Sequence, residues 1–428
     1  MVIVGAGLTG LSTALHLRPE QRLRVFERGD RVGGKARSTR TDGFTFDVTG
    51  HWLHLRDERV KALAADLFSE GDLVEIERST GVYTHGTMLA YPFQANLHGL
   101  PLPIVRDCLV GFMQAQTAAA MPDATPPETF AAFAEARFGK GIAEHFFVPY
   151  NTKLWGVSPD ALTADWVQRF VPVPDAAQVI GGAIGLEQQG LGYNARFLYP
   201  KGGGIDALPN AMAARLRAQR GDVVELNAEL ERVDAVKRRV QIGETWHDYS
   251  VLVSTLPLPS LIAKIDAAPP HVRQAAQALR AVPWRWLDVA TSTPPRISEH
   301  WVYVPEPHIP FFRVGIYSNA SPAMAPPGCG SLYVELTDRD SAPDLPLIYE
   351  HLAAMGAISS PDDVLFAHTH DVDNAYVMFD AAYAEATATI HAWLSTQGIR
   401  STGRYGAWIY NSMEDSILLG MDAAEWAA

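Results

Sequence analysis

A strand, glycine turn, helix and second strand at the N-terminus constrain the fold of this chain most strongly. The β-branched run MVIV is followed by GAGLTG and then by LSTALHL, whose apolar residues recur at helical spacing. The run LRVFE predicts a second strand that ends in an acid, Glu27, which follows Gly10 by 17 residues. This order is typical of a βαβ unit that binds a dinucleotide, so the sequence predicts a Rossmann-like domain.

Three glycines, Gly5, Gly7 and Gly10, form the G-x-G-x-x-G pattern of this turn. The first glycine permits the tight turn, and the second lets a pyrophosphate approach the backbone. The helix N-terminus supplies amides and a positive dipole, while Glu27 can bind ribose hydroxyls. The alternative is a glycine turn with only a structural role, but the strand, helix and acid around it favour dinucleotide binding.

Composition excludes several classes of protein. The 428 residues are enough for two or three domains, and the net charge of −13 argues against nucleic acid or an anionic membrane as the main partner. No apolar run reaches the roughly 18 residues of a membrane span, and the N-terminus lacks a basic region and a cleavage site. The two cysteines, Cys108 and Cys329, lie far apart, which fits a reducing compartment. We therefore expect a cytoplasmic protein. The oligomeric state cannot be read from the sequence.

The stretch after Glu27 indicates which dinucleotide binds. It reads RGDRVGGKARS and contains Gly33, Gly34 and Lys35. This stretch resembles the ERxxRxGGxxxS continuation of FAD proteins in the amine oxidase and protoporphyrinogen oxidase superfamily, which an NAD dehydrogenase does not need. The resemblance implies that FAD is the resident cofactor and that Val224 lies near its adenine. For Val224 the alternative is an ordinary strand meander that touches no cofactor.

The predicted fold class is α/β: a Rossmann-like FAD-binding domain of the glutathione-reductase-like kind, an inserted helical domain and a mixed-sheet substrate domain. Proline-rich patches near 122–127, 268–270 and 320–327 mark loops or domain crossings. The expected segments are the first FAD-binding part at 1–85, a mainly helical, substrate-binding insertion at 86–190, the second FAD-binding part at 191–265, the substrate-binding sheet domain at 266–390 and the C-terminal FAD-binding part at 391–428.

Six further stretches occur in order: DVTGHWLHL, YPFQANLHGLP, FFVPYNTKLWG, GYNARFLYPKGGG, WVYVPEPHIPFFRVGIYSNASP and GRYGAWIYNSMEDSILLG. Together with the FAD segment they resemble the flavin-dependent UDP-galactopyranose mutases, particularly the eukaryotic-type branch, with weaker stretches at 56–85 and 205–300. That family interconverts pyranose and furanose forms of a UDP-sugar without net redox change. Reduced flavin N5 attacks the anomeric carbon, UDP leaves, and a flavin–sugar iminium allows the ring to open and reclose. The resemblance thus implies an isomerase whose reduced FAD is the active form.

Such a reaction needs cations around its leaving group. A diphosphate carries about two negative charges, which guanidinium groups bind bidentately, and its charge grows as the C–O bond breaks. Arg169, in DWVQRFVPVP, and Arg313, in PFFRVG, match the two family arginines around the diphosphate. The alternative for each is a structural carboxylate partner, because an unpaired arginine in apolar surroundings would be unfavourable.

The resemblance also assigns aromatic and polar residues. Tyr303, Tyr376 and Tyr410 match tyrosines that hydrogen-bond the diphosphate, with ordinary core packing as the alternative. His51 matches a histidine that lies against the flavin near N5 and could respond to its redox state; a satisfied core histidine is the alternative. Tyr91, Phe93 and Gln94 match the uracil-binding stretch, and Asn194 matches an asparagine beside the sugar and a mobile loop.

The last segment, RSTGRYGAWIY, is expected to join cofactor and substrate. Gly403 and Gly406 fit a backbone close to the isoalloxazine ring. The resemblance implies that Arg404 faces the flavin, where its positive charge would favour the reduced anionic form. The next run, NSMEDSILLG, predicts a helix whose N-terminal amides, near Asp415 and Ser416, meet the flavin.

The sequence departs from the family pattern at three places. The glycine before Gly50 is here Thr49, the family's GWGPN is shortened to GYN, and the second basic residue before Tyr410 is Ile409. The competing hypotheses are an FAD oxidase or dehydrogenase of the amine oxidase type and a flavin-binding protein without catalysis. The reductant is not evident, and NAD(P)H would have to bind transiently in the substrate cleft because the chain has no second nucleotide fingerprint.

Overall fold

The architecture is that of a computed structural model, which describes residues 1–121, 126–164, 171–186 and 195–428. The strands are β1 (Val2–Val4), β2 (Arg24–Phe26), β3 (Ser38–Thr41), β4 (Phe44–Asp47), β5 (Leu73–Glu77), β6 (Thr80–Thr84), β7 (Thr87–Ala90), β8 (Arg196–Pro200), β9 (Val224–Glu225), β10 (Leu230–Asp234), β11 (Arg239–Ile242), β12 (Thr245–Asp248), β13 (Leu252–Ser254), β14 (Ala281–Thr291), β15 (Trp301–Tyr303), β16 (Phe311–Ile316), β17 (Gly330–Leu336), β18 (Val364–Val377) and β19 (Ile399–Ser401).

The helices are α1 (Leu8–His16), α2 (Glu58–Leu67), α3 (Leu102–Ala119), α4 (Phe130–Phe138), α5 (Lys140–Ile142), α6 (Val148–Trp155), α7 (Ala176–Ala183), α8 (Ala207–Arg220), α9 (Leu258–Ala263), α10 (Pro270–Ala278), α11 (Tyr317–Ala320), α12 (Leu345–Ala354), α13 (Tyr383–Thr396), α14 (Gly403–Gly406) and α15 (Met413–Trp426). A π-helical turn, Ala143–Phe147, joins α5 to α6.

A parallel sheet carries the N-terminal glycine turn. Its five strands lie in the order β19, β13, β1, β2, β9. Strands β1 and β13 are buried along their whole length, as expected for parallel strands covered on both faces. The five strands come from 1–85, 191–265 and 391–428, the three segments assigned above to the FAD-binding domain.

Helices α1 and α15 pack closely against each other on this sheet. The Ser12 hydroxyl donates to the Ile417 carbonyl at 2.7 Å, and the Thr9 hydroxyl donates to the Ser416 carbonyl at 2.9 Å. A Cβ at Gly420 would lie 2.5 Å from Ser12 Cβ and 2.5 Å from the Thr9 carbonyl oxygen, so only glycine permits this approach. The contact brings the first turn of α15 against the first turn of α1.

Helices α3 to α7 form an insertion between β7 and β8. Its interior is aromatic: the Phe138 and Phe147 rings stack at 4.6 Å, and the Phe130 ring meets Phe147 edge-on at 6.4 Å. Thr129 caps α4 by accepting a hydrogen bond from the Ala132 amide at 3.2 Å. This aromatic interior is continuous with buried residues of the parallel sheet, among them Val2 and Phe26.

A mixed sheet of seven strands packs α12 on one side, and residues of its other side belong to the same buried cluster as residues of α1 and α15. Its order is β18, β14, β17, β16, β15, β6, β7, and the pair β15–β6 is parallel. Leu287, Val289 and Val334 contribute the apolar outer face, together with Ile348 and Leu352 of α12. Strands β6 and β7 form one edge of this sheet. They lie within residues 80–90, which include the predicted segment boundary at residue 85.

Strand register lines up polar and aromatic side chains on the inner face of the mixed sheet. The cross-strand partners are, in order, Tyr303, Arg313, Glu335, Trp286 and His370. Side chains of directly opposed residues point to the same face of a sheet and interact with one another. This lateral row is the scaffold of the site described below.

The parallel sheet, the helical insertion and the mixed sheet confirm the predicted α/β fold class. Across the ranges that the structure describes, no helix combines the length and the apolar character needed to cross a bilayer.

The close crossing of α1 and α15 yields a stability prediction. Gly420→Ala should lower the free energy of unfolding by about 1–3 kcal/mol, because the new methyl group forces α15 away from Ser12 and Thr9 of α1. Urea denaturation measures the change. Gly202→Ala is the matched control, since its Cβ would meet nothing within 4 Å, and it should change the unfolding free energy by less than about 0.5 kcal/mol. Equal stability of the two variants would contradict the packing.

Candidate active site

The glycine turn after β1 has the geometry expected of a phosphate cradle. Gly5 has φ of 99°, and a Cβ at Gly10 would overlap the Gly5 carbonyl oxygen. Gly7 is the N-cap of α1 and provides no side-chain cap, so the first amides of α1 are not satisfied by a capping side chain. Unsatisfied amides at a helix N-terminus favour an anion.

The second glycine pair lies directly against this turn. The Gly33 amide donates to the Ala6 carbonyl at 2.9 Å, and Gly34 packs against the Gly7 backbone. Glu27 accepts hydrogen bonds from the Ala6 amide and from the Gly29 amide, each at 2.8 Å. The carboxylate therefore ties the end of β2 to the glycine turn after β1.

Two further residues that the sequence predicts to bind FAD, Lys35 and Val224, lie beside the two glycine turns. Lys35 follows the glycine pair, and burial, with Arg37 and Arg28, lowers its pKa to about 8. Val224 lies in β9 and pairs with Val25 of β2, the strand that leads to Glu27. The structure thus brings Lys35 and Val224 to the same end of the parallel sheet as the glycines.

The closing segment meets the first turn of α1 from the other side. Gly403 has φ of 81°, and a Cβ there would lie 2.8 Å from the Thr9 hydroxyl oxygen. At Gly406 a Cβ would lie 3.0 Å from the Ser254 carbonyl oxygen. Close contacts within the protein itself therefore favour glycine at both positions. Ile409 donates its amide to the Arg404 carbonyl at 2.9 Å, so its side chain is not needed for the turn.

Helix α15 begins at Met413, as NSMEDSILLG predicts. Asp415 forms a capping box with Ser412: its carboxylate accepts from the Ser412 amide at 2.9 Å, and its own amide donates to the Ser412 hydroxyl at 3.1 Å. The Ser416 hydroxyl accepts from Asn411 at 3.2 Å. Both residues lie at the junction of α1 and α15, and their flavin contacts stay a prediction.

The histidine loop leads from β4 to the space between the two sheets. Thr49 has φ of 56°, a strained conformation for a β-branched residue, and Tyr317 donates its hydroxyl to the Thr49 carbonyl at 3.2 Å. Burial and the nearby Arg404 charge lower the pKa of His51 to about 4, so the ring is neutral near pH 7. In the described part of the chain its buried Nδ1 has no hydrogen-bond partner. A buried ring nitrogen without a partner, near enough to Arg404 and Lys35 for their positive charges to lower the pKa of the ring, fits a flavin.

A buried carboxylate anchors this loop. Asp47 accepts hydrogen bonds from the Ser38 hydroxyl at 2.6 Å, from the Tyr199 hydroxyl and from the Ile205 amide at 3.1 Å. Its carbonyl accepts from the Tyr317 hydroxyl at 2.7 Å. Burial raises the pKa of Asp47 to about 7, against the three hydrogen bonds that favour the charged form.

Arg313 forms a bidentate ion pair with Glu335 on the inner face of the mixed sheet. Its Nη2 donates to Oε1 at 2.7 Å, and its Nε donates to Oε2. The side chain of Glu335 is fully buried, whereas 17% of Arg313 is exposed. The carboxylate partner that the sequence left as the alternative is therefore present. It occupies one edge of the guanidinium group and leaves Nη1 for another acceptor.

The predicted tyrosines surround this arginine and Arg404. The Tyr91 and Tyr303 rings lie 5.3 Å apart, and the Tyr376 and Tyr410 rings stack at 5.2 Å. The Arg404 guanidinium lies 5.1 Å from the Tyr376 ring and 4.9 Å from the Tyr410 ring, and main-chain carbonyls accept from it at 2.7 and 3.1 Å. All four tyrosines are partly exposed.

The three residues that the sequence predicts to bind uracil differ in their surroundings. Phe93 is fully buried and stacks on Phe146 at 5.1 Å. Gln94 is buried and donates to the Pro172 carbonyl at 2.7 Å. Of this group, Tyr91 is the residue with an accessible ring. Two predicted residues, Arg169 and Asn194, lie outside the described residues.

Sequence reasoning missed several residues that build the site. Glu335 reads as part of a buried strand, YVEL, and only the strand register places it beside Arg313. The Trp284 ring lies 4.5 Å from the Tyr376 ring and 5.5 Å from the Arg313 guanidinium. Tyr150, in the quoted stretch FFVPYNTKLWG, meets Tyr303 edge-on at 5.3 Å.

Lys153, in the same stretch, holds the hairpin that carries two site residues. Its Nζ donates to the carbonyls of Val304 at 2.9 Å, Glu306 at 2.8 Å and Phe311 at 2.6 Å. These carbonyls lie in the chain between Tyr303 and Arg313. Burial lowers the pKa of Lys153 to about 7. A single buried ammonium group thus fixes the spacing of β15 and β16.

Comparison with protein families and curated proteins gives consistent matches. The family described as flavin containing amine oxidoreductase matches residues 8–291. Coproporphyrinogen III oxidase of Staphylococcus aureus is 29% identical over 179 residues, 38% of this chain and 38% of that protein. Protoporphyrinogen oxidase 2, chloroplastic/mitochondrial, of Arabidopsis thaliana is 23% identical over 177 residues, 38% of this chain and 34% of that protein. The chain thus matches less than two fifths of the length of these relatives.

Solved structures are similar over the whole chain. Reduced UDP-galactopyranose mutase superposes with a TM-score of 0.91 at 24% identity, covering 100% of this chain and 94% of that chain. Cyclohexylamine oxidase from Brevibacterium oxydans superposes with a TM-score of 0.67 at 16% identity, covering 99% of this chain and 97% of that chain. At these identities the likeness establishes the fold.

The titration of Asp47 predicts how stability depends on pH. Its pKa is about 7 in the folded protein and about 3.9 in an unfolded chain, so the folded state binds more protons between these values. The contribution of Asp47 protonation to the free energy of unfolding is complete below about pH 4. It is lost as the pH rises through about 7, by up to about 1.4 kcal/mol per pH unit.

Asp47→Asn removes this titration. Urea denaturation at a series of pH values should show that its unfolding free energy falls less steeply between about pH 5 and about pH 7 than that of the wild type. Asp248→Asn, at an exposed carboxylate, should keep the wild-type slope. The assignment is wrong if Asp47→Asn also keeps it.

Proposed function

The chain belongs to the family of flavin-containing amine oxidoreductases, and within that family we propose that it is an FAD-dependent nucleotide-sugar mutase. Its substrate would be a UDP-hexose of the UDP-galactose kind, whose pyranose and furanose forms it interconverts. The reduced form of FAD is the active one in this proposal, with NAD(P)H as a transient reductant.

One observation carries the proposal: two guanidinium groups and four tyrosines, all partly exposed, share one surface between the two sheets. Arg313 offers Nη1, Arg404 lies over two tyrosine rings, and the tyrosines add hydroxyl groups. A diphosphate needs this set, because guanidinium groups bind its oxygens and hydroxyls donate to those that remain. An amine substrate has no group that would need two arginines.

In this proposal the chain's residues act by binding and by charge. Arg313 binds the diphosphate and stabilises the charge that grows on UDP as the glycosidic C–O bond breaks, while Arg404 adds positive charge from the flavin side. Tyr303, Tyr376 and Tyr410 donate hydrogen bonds to it, and the Tyr91 ring stacks on the uracil. The roles of Arg169, Phe93, Gln94 and Asn194 stay predictions from the family resemblance.

The cofactor site of the proposal is the cradle of the two glycine turns and the two helix N-termini. The residues assigned to FAD are Gly5, Gly7, Gly10, Glu27, Gly33, Gly34, Lys35, Val224, Arg404, Asp415 and Ser416. Neutral His51 would turn its orphaned Nδ1 to the flavin. When bound and reduced, FAD supplies the electron-rich centre that can hold the sugar while UDP is detached.

The alternative function is an FAD oxidoreductase of the amine oxidase or protoporphyrinogen oxidase type. It is favoured by the curated relatives, both of which are oxidases by name. The mutase proposal is supported by the similarity to reduced UDP-galactopyranose mutase over the full chain, at the level of the fold, and by the arginine and tyrosine surface.

Turnover distinguishes the two functions directly. Dithionite-reduced protein should convert UDP-galactopyranose to the furanose form, which anion-exchange chromatography resolves, and oxidised protein should not. Rapid oxygen uptake with an amine or porphyrinogen, in a protein that does not bind UDP, would establish the oxidase instead.

Arg313 provides a prediction for binding. Arg313→Lys keeps the positive charge beside Glu335 but loses the planar fork, so the dissociation constant for UDP should rise by about tenfold or more while the flavin stays bound. Flavin absorbance monitors both properties. Arg285→Lys is the matched control. The Arg285 side chain is also 17% exposed and is paired with the Asp371 carboxylate. Arg285 precedes Trp286 in β14 and therefore points to the outer face of the mixed sheet, away from the site. Loss of flavin from Arg313→Lys, with UDP affinity unchanged, would refute the assignment.

A further inference from the structure

The ion pair of Arg313 and Glu335 is electrically balanced, which poses a problem for an arginine that must bind an anion. Glu335 has a fully buried side chain and accepts two hydrogen bonds from Arg313. Its carboxylate lies within the width of one guanidinium group from Nη1, which has no hydrogen-bond acceptor among the described residues. A diphosphate bound at Nη1 would therefore place two further negative charges close to a buried carboxylate.

The groups that face Glu335 offer no second positive charge in the described part of the chain. They are Arg313 of β16, Tyr333 of β17 itself, Tyr376 of β18, Tyr150 of α6 and the Thr49 hydroxyl of the histidine loop. Burial raises the pKa of each of these tyrosines, so they are neutral near pH 7. Trp286 of β14 separates Glu335 from His370 in the lateral row. The charge state of Glu335 therefore depends on Arg313.

The binding of an anion at Arg313 shifts the protonation equilibrium of Glu335 in a predictable direction. Burial already raises the pKa of Glu335, and Arg313 opposes that rise. A second anion near a carboxylate favours its protonated form, and it also shares the positive charge that had held the carboxylate ionised. A protonated Glu335 would leave Arg313 with a net charge of plus one for the diphosphate.

We propose that Glu335 takes up one proton from solvent when a diphosphate-bearing ligand binds at Arg313, so that the pair changes from neutral to positively charged. No covalent bond changes, and the proton returns to solvent when the ligand leaves. The inference rests on the proposed function, because it requires a diphosphate at this surface. Glu335 acts through Arg313 and is thus a positioning residue that sets the charge available to the ligand.

Calorimetry tests the proton uptake on the FAD-loaded wild-type protein without any variant. UDP-galactose is a suitable probe because its diphosphate is a diester and does not itself titrate near neutral pH. Titrations at one pH in two buffers of different ionisation enthalpy should give an uptake of about one proton per ligand at a pH where free Glu335 is ionised. The dissociation constant should then rise by up to about tenfold for each pH unit. Uridine, which lacks phosphate, should give no uptake.

Glu335→Gln separates this role from a merely structural one. The variant imitates the protonated carboxyl group, so it should bind UDP-galactose at least as tightly as the wild type, with no proton uptake and with a dissociation constant that does not change with pH. Asp288→Asn is the matched control: it removes another buried carboxylate of the same sheet, paired with His370 at 2.9 Å, and should keep the wild-type uptake.

The outcomes are distinguishable. If wild-type protein binds UDP-galactose without proton uptake, or if Glu335→Gln shows the same uptake as the wild type, the inference is overturned and the proposed function stands. If UDP-galactose does not bind at all, the proposed function fails and the inference fails with it.

Discussion

The site depends on strand register in the mixed sheet. Because β14 to β18 pair as they do, Tyr303, Arg313 and Glu335 fall in one lateral row, and the buried carboxylate holds the guanidinium edge-on. A register shift by one residue in any one of these strands would turn the site residue of that strand to the apolar outer face. Lys153 secures this register, since its three hydrogen bonds fix the hairpin between Tyr303 and Arg313.

Local sequence was sufficient to predict the glycine turn and the start of α15, which line the candidate cofactor cradle. The turn around Gly5 and Gly10 and the start of α15 follow from short-range rules of glycine conformation, helix periodicity and capping, and the structure shows both. The Rossmann-like part of the fold class was predicted in the same way, because strand, turn and helix signals are local. What local rules could not give is why Gly403 is glycine: its neighbour is Thr9, nearly four hundred residues earlier in the chain.

The arginine and tyrosine surface depends on distant strand pairings, and there prediction from sequence was less complete. Arg313 was identified, but its partner Glu335 lies on another strand and no spacing reveals it. Phe93 was assigned by resemblance to the uracil site, whereas the structure packs its ring on Phe146, because an aromatic residue in a family motif can equally serve the core. Thr49, a departure from the family pattern, adopts a left-handed conformation and bonds to Glu335, so it links the histidine loop to the ion pair.

A crystal structure of the FAD-loaded protein with UDP tests the central claim most directly, namely that the arginine and tyrosine surface binds a diphosphate. The account predicts diphosphate oxygens at about 2.7–3.2 Å from Arg313 Nη1 and from at least one hydroxyl of Tyr303, Tyr376 or Tyr410. A diphosphate bound elsewhere, with this surface instead covering an uncharged substrate beside the flavin, would contradict it.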